Sequence, residues 1–173
     1  MIMVIWFIGM SGSGKTTLSN LFIEKINKLT KKHIIHLDGD NIRFLFDNKD
    51  YSISGRKKNA KVISNLSKFL NSEKSIVVAS VLSIFPEWQK WNRENINNYF
   101  EIYVKVDFDI LLQREIKSLY KDAIEGKINN VVGVDIDFPE PNSNYVIDNN
   151  SDKDFDSKID NLIKVITEKG FKF

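Results

Sequence analysis

The sequence predicts an α/β fold of three layers, in which helices cover both faces of a central, five-stranded, mainly parallel sheet. Short apolar runs of strand length alternate with longer helical patterns along the chain, which is typical of βαβ units. The first apolar run leads directly into a Gly-rich turn and a helical pattern, as a phosphate-binding βα unit requires. With 173 residues, the chain is long enough for one domain with a sizeable core.

Five apolar runs, each bounded by turn residues or by a helical pattern, are predicted to be the strands. They are Ile2–Ile8, His33–Leu37, Ser75–Val81, Phe100–Val106 and Tyr145–Ile147. The segments between and after them predict helices over Lys15–Leu29, Arg56–Leu70, Pro86–Asn98, Phe108–Lys121 and Phe155–Glu168. Residues 122–144 are polar and irregular, and a loop of this length in a compact domain is usually functional. We therefore expect a single domain over residues 1–173, with residues 122–144 as a lid.

Composition and charge exclude several classes of protein. The formal net charge is only +2, so we expect neither a nucleic-acid partner nor a membrane surface. The chain has no cysteine, which excludes disulfides and thiolate metal sites. The N-terminal apolar run is short and lacks a basic leader, so it predicts a buried strand rather than a signal peptide or a membrane span. These features predict a soluble cytoplasmic protein.

Residues 9–16 read GMSGSGKT and match the phosphate-binding loop G-x-x-x-x-G-K-[ST] at every fixed position. Glycines allow backbone amides to turn toward a phosphate, and the following helix N-terminus adds positive partial charge. Lys15 is predicted to reach the β- and γ-phosphates of ATP, and Thr16 to offer its hydroxyl to Mg²⁺. The predicted ATP-binding residues of this segment are Gly9, Ser11, Gly12, Ser13, Gly14, Lys15, Thr16 and Thr17.

Two aspartates follow the second predicted strand, in the segment Asp38-Gly39-Asp40. Many ATPases and GTPases place an acid at the end of a buried strand, but here the strand Ser75–Val81 carries none, which argues against a GTPase switch. One carboxylate of the pair could help to hold Mg²⁺ through water, and the other could accept a proton from an attacking hydroxyl. We predict Lys15, Asp38 and Asp40 as catalytic residues. The pattern favours Asp38 as the base without separating it from Asp40.

A second polar group comes next in the chain and suggests an acceptor site. Arg43 follows Asp40 by about one helical turn and could grip a phosphate bidentately. Arg56 and Asn59 share a helix face and could present a guanidinium and an amide, with Tyr51 as a stacking plate. From these residues alone, a polar helix surface with no ligand is the better explanation.

These motifs together resemble the adenylylsulfate kinase family over nearly the whole chain. The segments that carry the resemblance are 9–17, 37–43 (LDGDNIR), 51–59 (YSISGRKKN), 81–83 and 100–141, the last with Leu119-Tyr120-Lys121 and Gly133-Val134-Asp135. The resemblance implies a P-loop kinase fold, ATP with Mg²⁺ as donor, and a ribose 3′-hydroxyl as acceptor. It also implies roles for Arg114 at ATP and for Asp40, Arg43, Tyr51, Arg56, Asn59, Ser83, Lys117 and Lys121 at the acceptor. Family members are often dimers, so a homodimer is a further expectation.

The chain departs from the family pattern on the acceptor side. Where the family has Phe in F-T-G-I-D, this chain has Val131, which removes one of two aromatic plates for adenine. The family run S-P-Y-R-x-D-R has become 83–89, SIFPEWQ, which lacks both arginines. These changes predict an acceptor with a smaller base and a less anionic tail. Cytidine diphosphoramidate, the acceptor of related kinases in capsule pathways, fits this description.

Three alternatives stay open from the sequence. Ordinary drift within true adenylylsulfate kinases would leave adenylylsulfate as the acceptor. A small regulatory NTPase would hydrolyse ATP without an acceptor and bind partners according to its nucleotide. A non-catalytic nucleotide-binding module would leave ATP intact, although the retained acids and lysine fit it poorly.

Overall fold

The computed structural model describes residues 3–114, 118–171 and 173. Within them, five strands form one sheet in the order β2-β3-β1-β4-β5, and every ladder is parallel. The strands are β1 (Val4–Ile8), β2 (Ile34–Asp38), β3 (Ile76–Val81), β4 (Tyr99–Lys105) and β5 (Tyr145–Asp148). The predicted five-stranded parallel sheet is therefore confirmed. Ile2, at the predicted start of the first strand, lies outside the described residues.

Seven helices are found in the same parts of the chain. They are α1 (Lys15–Asn27), α2 (Gly39–Leu45), α3 (Ile53–Ser72), α4 (Pro86–Asn95), α5 (Phe108–Gln113), α6 (Leu119–Ile124) and α7 (Phe155–Glu168). Sequence reasoning did not predict α2 as a separate helix, and it began α3 at Arg56 rather than Ile53. In the described part of the chain, no helix combines the length and apolar character needed to cross a membrane.

The predicted helix Phe108–Lys121 is wrong as a single element. Helix α5 ends at Gln113 and α6 begins at Leu119. Ser118 has a φ of 54°, in the left-handed region, so it cannot continue an α-helix. The two short helices still pack together, because the rings of Phe108 and Tyr120 meet edge to face with centroids 5.3 Å apart. Helix α6 also covers the first residues of the segment 122–144.

Alternating side chains of β1 build the core on both faces of the sheet. Ile5 and Phe7 are fully buried with Phe22 of α1 and residues of α7. Val4 and Trp6 are buried on the opposite face with Ile63 of α3. Burial of one such large apolar side chain contributes about 1.5–3 kcal/mol. Two apolar layers therefore fix the sheet between its helices.

The carboxyl ends of the central strands meet at one edge of the sheet. Strand β1 ends before the phosphate-binding loop, and β2 ends at Asp38. Asp38 pairs in register with Ser80 near the end of β3. Ligands of open parallel sheets bind at this edge, and a large cleft lies there.

Candidate active site

The phosphate-binding loop connects β1 to α1 and depends on glycine at two positions. A Cβ at Gly9 would lie 2.6 Å from Ser13 Oγ and 2.7 Å from the carbonyl oxygen of Val104, which is too close for any side chain. Gly14 has a φ of 88° directly before α1, a conformation that favours glycine. The loop therefore requires the residues that the sequence pattern singled out.

Three side chains outside the loop hold its successive carbonyl oxygens. The Tyr120 hydroxyl donates to Ser11 O over 2.8 Å, and Arg114 Nη1 donates to Gly12 O over 3.3 Å. Asn149 Nδ2, which follows β5 and is fully buried, donates to Ser13 O over 2.8 Å. Because these carbonyl groups are paired, the peptide planes of the loop are fixed before any ligand binds.

Lys15 lies in the cleft and is anchored to the loop itself. Its Nζ donates to Met10 O over 2.8 Å. Burial lowers the pKa of the Lys15 ammonium to about 8, although the carboxylates of Asp40 and Asp38 oppose this shift. The ammonium is therefore a weakly solvated charge that an anion would stabilise.

Asp38 is held by four hydrogen bonds. Its Oδ2 accepts from Thr16 Oγ1 over 2.9 Å and from Ser80 Oγ over 3.0 Å. Its Oδ1 caps α2 by accepting from the amides of Asp40 (3.0 Å) and Asn41 (3.4 Å). Burial acts to raise the pKa of Asp38, but the hydrogen bonds outweigh it and hold the pKa below its ordinary value. Asp38 therefore stays ionised and oriented toward Thr16.

Asp40 lies in the first turn of α2, is exposed, and lines the same cleft. Among residues 3–114, 118–171 and 173, no side chain donates a hydrogen bond to its carboxylate. The two aspartates thus differ in their surroundings, since Asp38 is saturated while Asp40 is available to a ligand. The sequence alone did not show this difference.

Two arginines enclose Tyr51 on the wall formed by α2 and α3. The Tyr51 ring is half exposed, and the guanidinium carbons of Arg43 and Arg56 lie 4.6 and 5.6 Å from its centroid. Arg43 Nη1 donates to Asp50 O over 2.9 Å, and Arg56 donates to Tyr51 O (2.9 Å) and Asn130 O (2.6 Å). This wall is positively charged and already well ordered.

Val131 lines the cleft from the segment 122–144. It is 5% exposed, and the carboxylate of Asp135 accepts hydrogen bonds from the amides of Asn130 and Val131. Gly133, with a φ of 95°, closes this turn against Met10 and Phe108. The position at which the family pattern has Phe is thus occupied by a fixed, branched aliphatic side chain.

The cleft extends between α3 and α4, and this α3–α4 end contains unpaired polar atoms. Four buried atoms that lack a hydrogen-bond partner within the described part of the chain belong to side chains that line it: Trp6 Nε1, Ser64 Oγ, Trp88 Nε1 and Asn92 Oδ1. The nitrogen of the same Asn92 amide is already hydrogen-bonded, since Nδ2 donates to the Tyr99 hydroxyl over 3.2 Å. Tyr99 in turn donates to Glu101, which is paired with Arg93.

The structure brings most of the predicted residues to one cleft of about 990 Å³. Asn59, Ser83, Arg114 and Thr17 line it together with the other predicted residues, except that Gly9 and Ser13 of the loop are not among the lining residues. Lys121 does not: it is exposed on α6 and lies in a shallow depression with Leu111 and Ser118. The acceptor role predicted for Lys121 therefore lacks support from its position. Lys117, also predicted at the acceptor, lies outside the described residues.

Sequence reasoning missed several residues that build the cleft. Ser80 and Asn149 lie near and just after the carboxyl ends of β3 and β5, and this placement could have identified them. Trp6 stands inside a fully buried apolar strand, so no signal in the sequence shows that it reaches the cleft.

With this geometry in view, the chain was compared with known proteins. The family model for adenylylsulphate kinase matches residues 1–148. A cytidine diphosphoramidate kinase of Campylobacter jejuni is 39% identical over 161 residues, which cover 93% of this chain and 94% of the relative. An adenylyl-sulfate kinase of Oceanobacillus iheyensis is 32% identical over 97% of this chain and 85% of the relative.

Solved structures agree with these matches. The Mycobacterium tuberculosis APS kinase CysC, in complex with AMPPNP and APS, superposes with a TM-score of 0.85 at 25% identity and covers 96% of this chain and 98% of its own. A shikimate kinase of Aquifex aeolicus shares the fold at a TM-score of 0.57 and 16% identity. The fold and cleft are those of a P-loop kinase. More narrowly, the chain belongs to the adenylylsulphate kinase family.

Proposed function

We propose that this kinase transfers the γ-phosphoryl group of ATP to the ribose 3′-hydroxyl of cytidine diphosphoramidate. The observation that carries the proposal is the acceptor wall of the cleft, which keeps Arg43, Tyr51 and Arg56 but replaces the second aromatic plate with Val131. Adenylylsulfate is the second candidate, because the family model and the structure solved with APS both point to it.

ATP fits the phosphate-binding loop end of the cleft, which comprises residues 9–17 with Asp38, Arg114 and Asn149. The fixed loop would bind the phosphates through its amides, and Lys15 would exchange its bond to Met10 O for the β- and γ-phosphates. Arg114 is anchored by Gly12 O, Asn149 O and Asp152, so it forms a rigid border beside the nucleotide.

The same end offers suitable ligands for Mg²⁺. Thr16 Oγ1 and Asp38 Oδ2 lie 2.9 Å apart, and these two side chains would hold Mg²⁺ together with phosphate oxygens and water. In keeping with that, no cluster of three or more acidic, His or Cys residues forms a cage in the part of the chain that the structure describes. Bound Mg²⁺ would neutralise charge on the β- and γ-phosphates.

Asp40 is the better candidate for the base, although the sequence favoured Asp38. A base needs a free oxygen within reach of the proton it removes, and Asp38 already accepts four hydrogen bonds. In the proposed step the 3′-oxygen bonds to the γ-phosphorus, and the bond from that phosphorus to the β–γ bridging oxygen breaks. The hydroxyl proton passes to the carboxylate of Asp40, and ADP leaves.

The acceptor's tail would meet a wall with less positive charge than the family pattern provides. The family's arginine positions in this run are Pro86 and Gln89, and Gln89 Nε2 is bound to Ser83 O over 2.7 Å. Trp88 lines the cleft beside them. An aromatic wall without those guanidinium groups suits a phosphoramidate end, whose P–NH₂ group has protons to donate where a sulfate has only acceptor oxygens, and this supports the cytidine acceptor.

Residues 122–144 would act as the lid of this site. Asn130 O accepts from Arg56, and Glu140 pairs with Lys105 over 2.9 Å, so the segment already contacts both α3 and β4. By covering the reacting groups, it would exclude water and thereby suppress hydrolysis of ATP. This assignment supports one domain with a closing loop.

A panel of acceptors tests the proposal. The purified protein is incubated with ATP, Mg²⁺ and one of cytidine diphosphoramidate, CDP, adenylylsulfate or no acceptor, and ADP and 3′-phosphorylated product are measured. We expect the highest kcat/KM with cytidine diphosphoramidate. Preference for adenylylsulfate would establish the second candidate. ADP release without any acceptor would indicate a regulatory NTPase, and intact ATP under all conditions would indicate a non-catalytic module.

A further inference from the structure

We propose that His36 is a positioning residue that orients Asp38 at the phosphate and magnesium centre, through the hydroxyl of Ser80. The inference rests on the proposed binding of ATP with Mg²⁺, and it goes beyond the motifs by which the chain resembles its family. His36 lies on β2, two residues before Asp38, and among the described residues its ring makes hydrogen bonds to Ser19 and Ser80 rather than to Thr16 or Asp38.

The imidazole joins three elements beneath the site. His36 Nε2 lies 2.9 Å from Ser80 Oγ on β3 and 3.2 Å from Ser19 Oγ on α1. Both serines are buried. Beyond these contacts, Ser80 Oγ donates to Asp38 Oδ2 over 3.0 Å, and Ser19 Oγ donates to the carbonyl oxygen of Thr16 over 3.1 Å.

The number of available protons fixes the direction of every hydrogen bond in this network. A serine hydroxyl has one proton to donate. Ser80 uses its proton on Asp38, and Ser19 uses its proton on Thr16 O. Each hydroxyl can therefore only accept from His36, so Nε2 must carry the proton that both share. The geometry thus assigns a proton to Nε2, whether or not Nδ1 also carries one.

This arrangement has a consequence for Asp38. Because His36 occupies the acceptor side of the Ser80 hydroxyl, the Ser80 proton is directed at Asp38 Oδ2. That oxygen is also the one that Thr16 contacts, so Ser80 holds it beside the residue predicted to bind Mg²⁺. The second branch, through Ser19, fixes the backbone of Thr16 at the start of α1. Partners behind metal ligands typically change metal affinity or activity by about 10–100-fold when removed.

Magnesium dependence of nucleotide binding tests this role without any acceptor. The affinity for AMPPNP is measured by calorimetry over a range of Mg²⁺ concentrations for the unmodified protein and for His36→Leu, His36→Gln and Ser80→Ala. We expect His36→Leu and Ser80→Ala each to raise the Mg²⁺ concentration for half-maximal binding about tenfold. His36→Gln, whose amide can donate from a similar position, should stay within about threefold. The double variant His36→Leu/Ser80→Ala should be no worse than the more severe single variant, since Ser80 and His36 act on Asp38 through the same hydrogen bonds.

The protein has one other histidine, and it supplies a matched control. His33 is exposed, so His33→Leu should leave the Mg²⁺ dependence unchanged. His33→Gln also leaves a single imidazole for nitrogen-15 NMR, which should report the Nε2–H form at His36. Thermal unfolding of each variant shows that it is folded before binding is compared.

The outcomes separate this inference from the proposed function. An unchanged Mg²⁺ requirement in folded His36→Leu, an equal loss in His36→Gln, or an Nδ1–H ring in the NMR spectrum would each overturn the role of His36. If the unmodified protein failed to bind AMPPNP at all, the proposed donor would be wrong, while the NMR spectrum would still test the assigned tautomer. A different preferred acceptor would leave the calorimetric result untouched.

Discussion

The two ends of the cleft differ in how completely their polar groups are paired. At the phosphate-binding loop end, Lys15, Thr16, Asp38 and Asn149 all have hydrogen-bond partners within the protein, although Ser13 Oγ is buried without one among the described residues. At the α3–α4 end, polar atoms of four lining side chains are buried without a partner among residues 3–114, 118–171 and 173: Trp6, Ser64, Trp88 and Asn92. A buried unpaired group costs about 1–3 kcal/mol, so such groups call for a ligand or an ordered water.

The difference indicates which end of the cleft is common to P-loop kinases and which end is specific to this protein. A site that binds the same triphosphate in every P-loop kinase can be preorganised by its own backbone. The named substrates differ between relatives, and the wall proposed for the acceptor here combines arginines with an aliphatic residue at position 131 and polar groups beyond it that are unpaired among the described residues. Substitutions at the loop end should therefore stop phosphoryl transfer, whereas substitutions at the other end should change which acceptor is preferred.

The largest effect is expected from Lys15→Ala. Loss of the ammonium removes the charge that would stabilise the transferred phosphoryl group, so turnover should fall by about 10³-fold or more with every acceptor. Steady-state release of ADP measures it. Lys28→Ala is the matched control, because Lys28 lies just after α1 and is exposed. Retained turnover in Lys15→Ala would contradict a catalytic loop end.

The second largest effect is expected from Asp40→Asn. Turnover should fall by about 10²- to 10³-fold, while ATP affinity should stay within about twofold of that of the unmodified protein. The amide keeps the size of the side chain but cannot take up the hydroxyl proton. Asp38→Asn is the comparison: we expect it to raise the Mg²⁺ requirement and to lose less turnover once Mg²⁺ saturates. If Asp38→Asn proved the more severe at saturating Mg²⁺, the roles of the two aspartates would be reversed.

At the other end of the cleft, Val131→Phe tests whether position 131 selects the base of the acceptor. A stacked base is worth about 1–3 kcal/mol, so a restored plate opposite Tyr51 should improve kcat/KM for adenylylsulfate by about tenfold. ATP affinity should not change. Val134→Phe, in the same segment but partly exposed, serves as the control. An equal gain for cytidine and adenine acceptors would show that position 131 does not select the base.

The sequence predicted the loop end better than the acceptor end, for physical reasons. The phosphate-binding loop depends on local backbone geometry, which Gly9 and Gly14 signal directly. Helix α2 was missed because seven residues are too few for a visible periodicity. The break at Ser118 was missed because a left-handed serine has no marker in the sequence.

Hydrogen-bond partners on neighbouring strands could not be predicted from the sequence, for a different reason. The bond between Ser80 and Asp38 depends on the register of β2 against β3, which places the two residues opposite each other. The unequal surroundings of Asp38 and Asp40 follow from that register and from the cap of α2. Residue types and spacing identified the pair of acids, but only tertiary structure separates their roles.

The smallest effect concerns the pH dependence of the loop end. The pKa of Lys15 is about 8 in the free protein, since burial lowers it, and a bound triphosphate should raise it again. The ammonium is therefore present below about pH 8 and lost as the pH rises through that value. Affinity for AMPPNP with saturating Mg²⁺ should fall about fourfold from pH 7 to pH 8.5, with uptake of protons on binding.

Stability should change in the opposite sense over a higher range. The unfolded chain keeps the Lys15 proton up to about pH 10.5, whereas the folded chain releases it near pH 8, so the contribution of Lys15 to folding stability rises between these values. Urea unfolding and AMPPNP calorimetry of the unmodified protein and of Lys15→Met isolate both trends, because Met has no titrating proton. A pH-independent affinity, or a stability of the unmodified protein relative to Lys15→Met that did not rise between about pH 8 and pH 10.5, would show that Lys15 is solvated like a surface lysine. The loop end would then owe its preorganisation to the backbone alone.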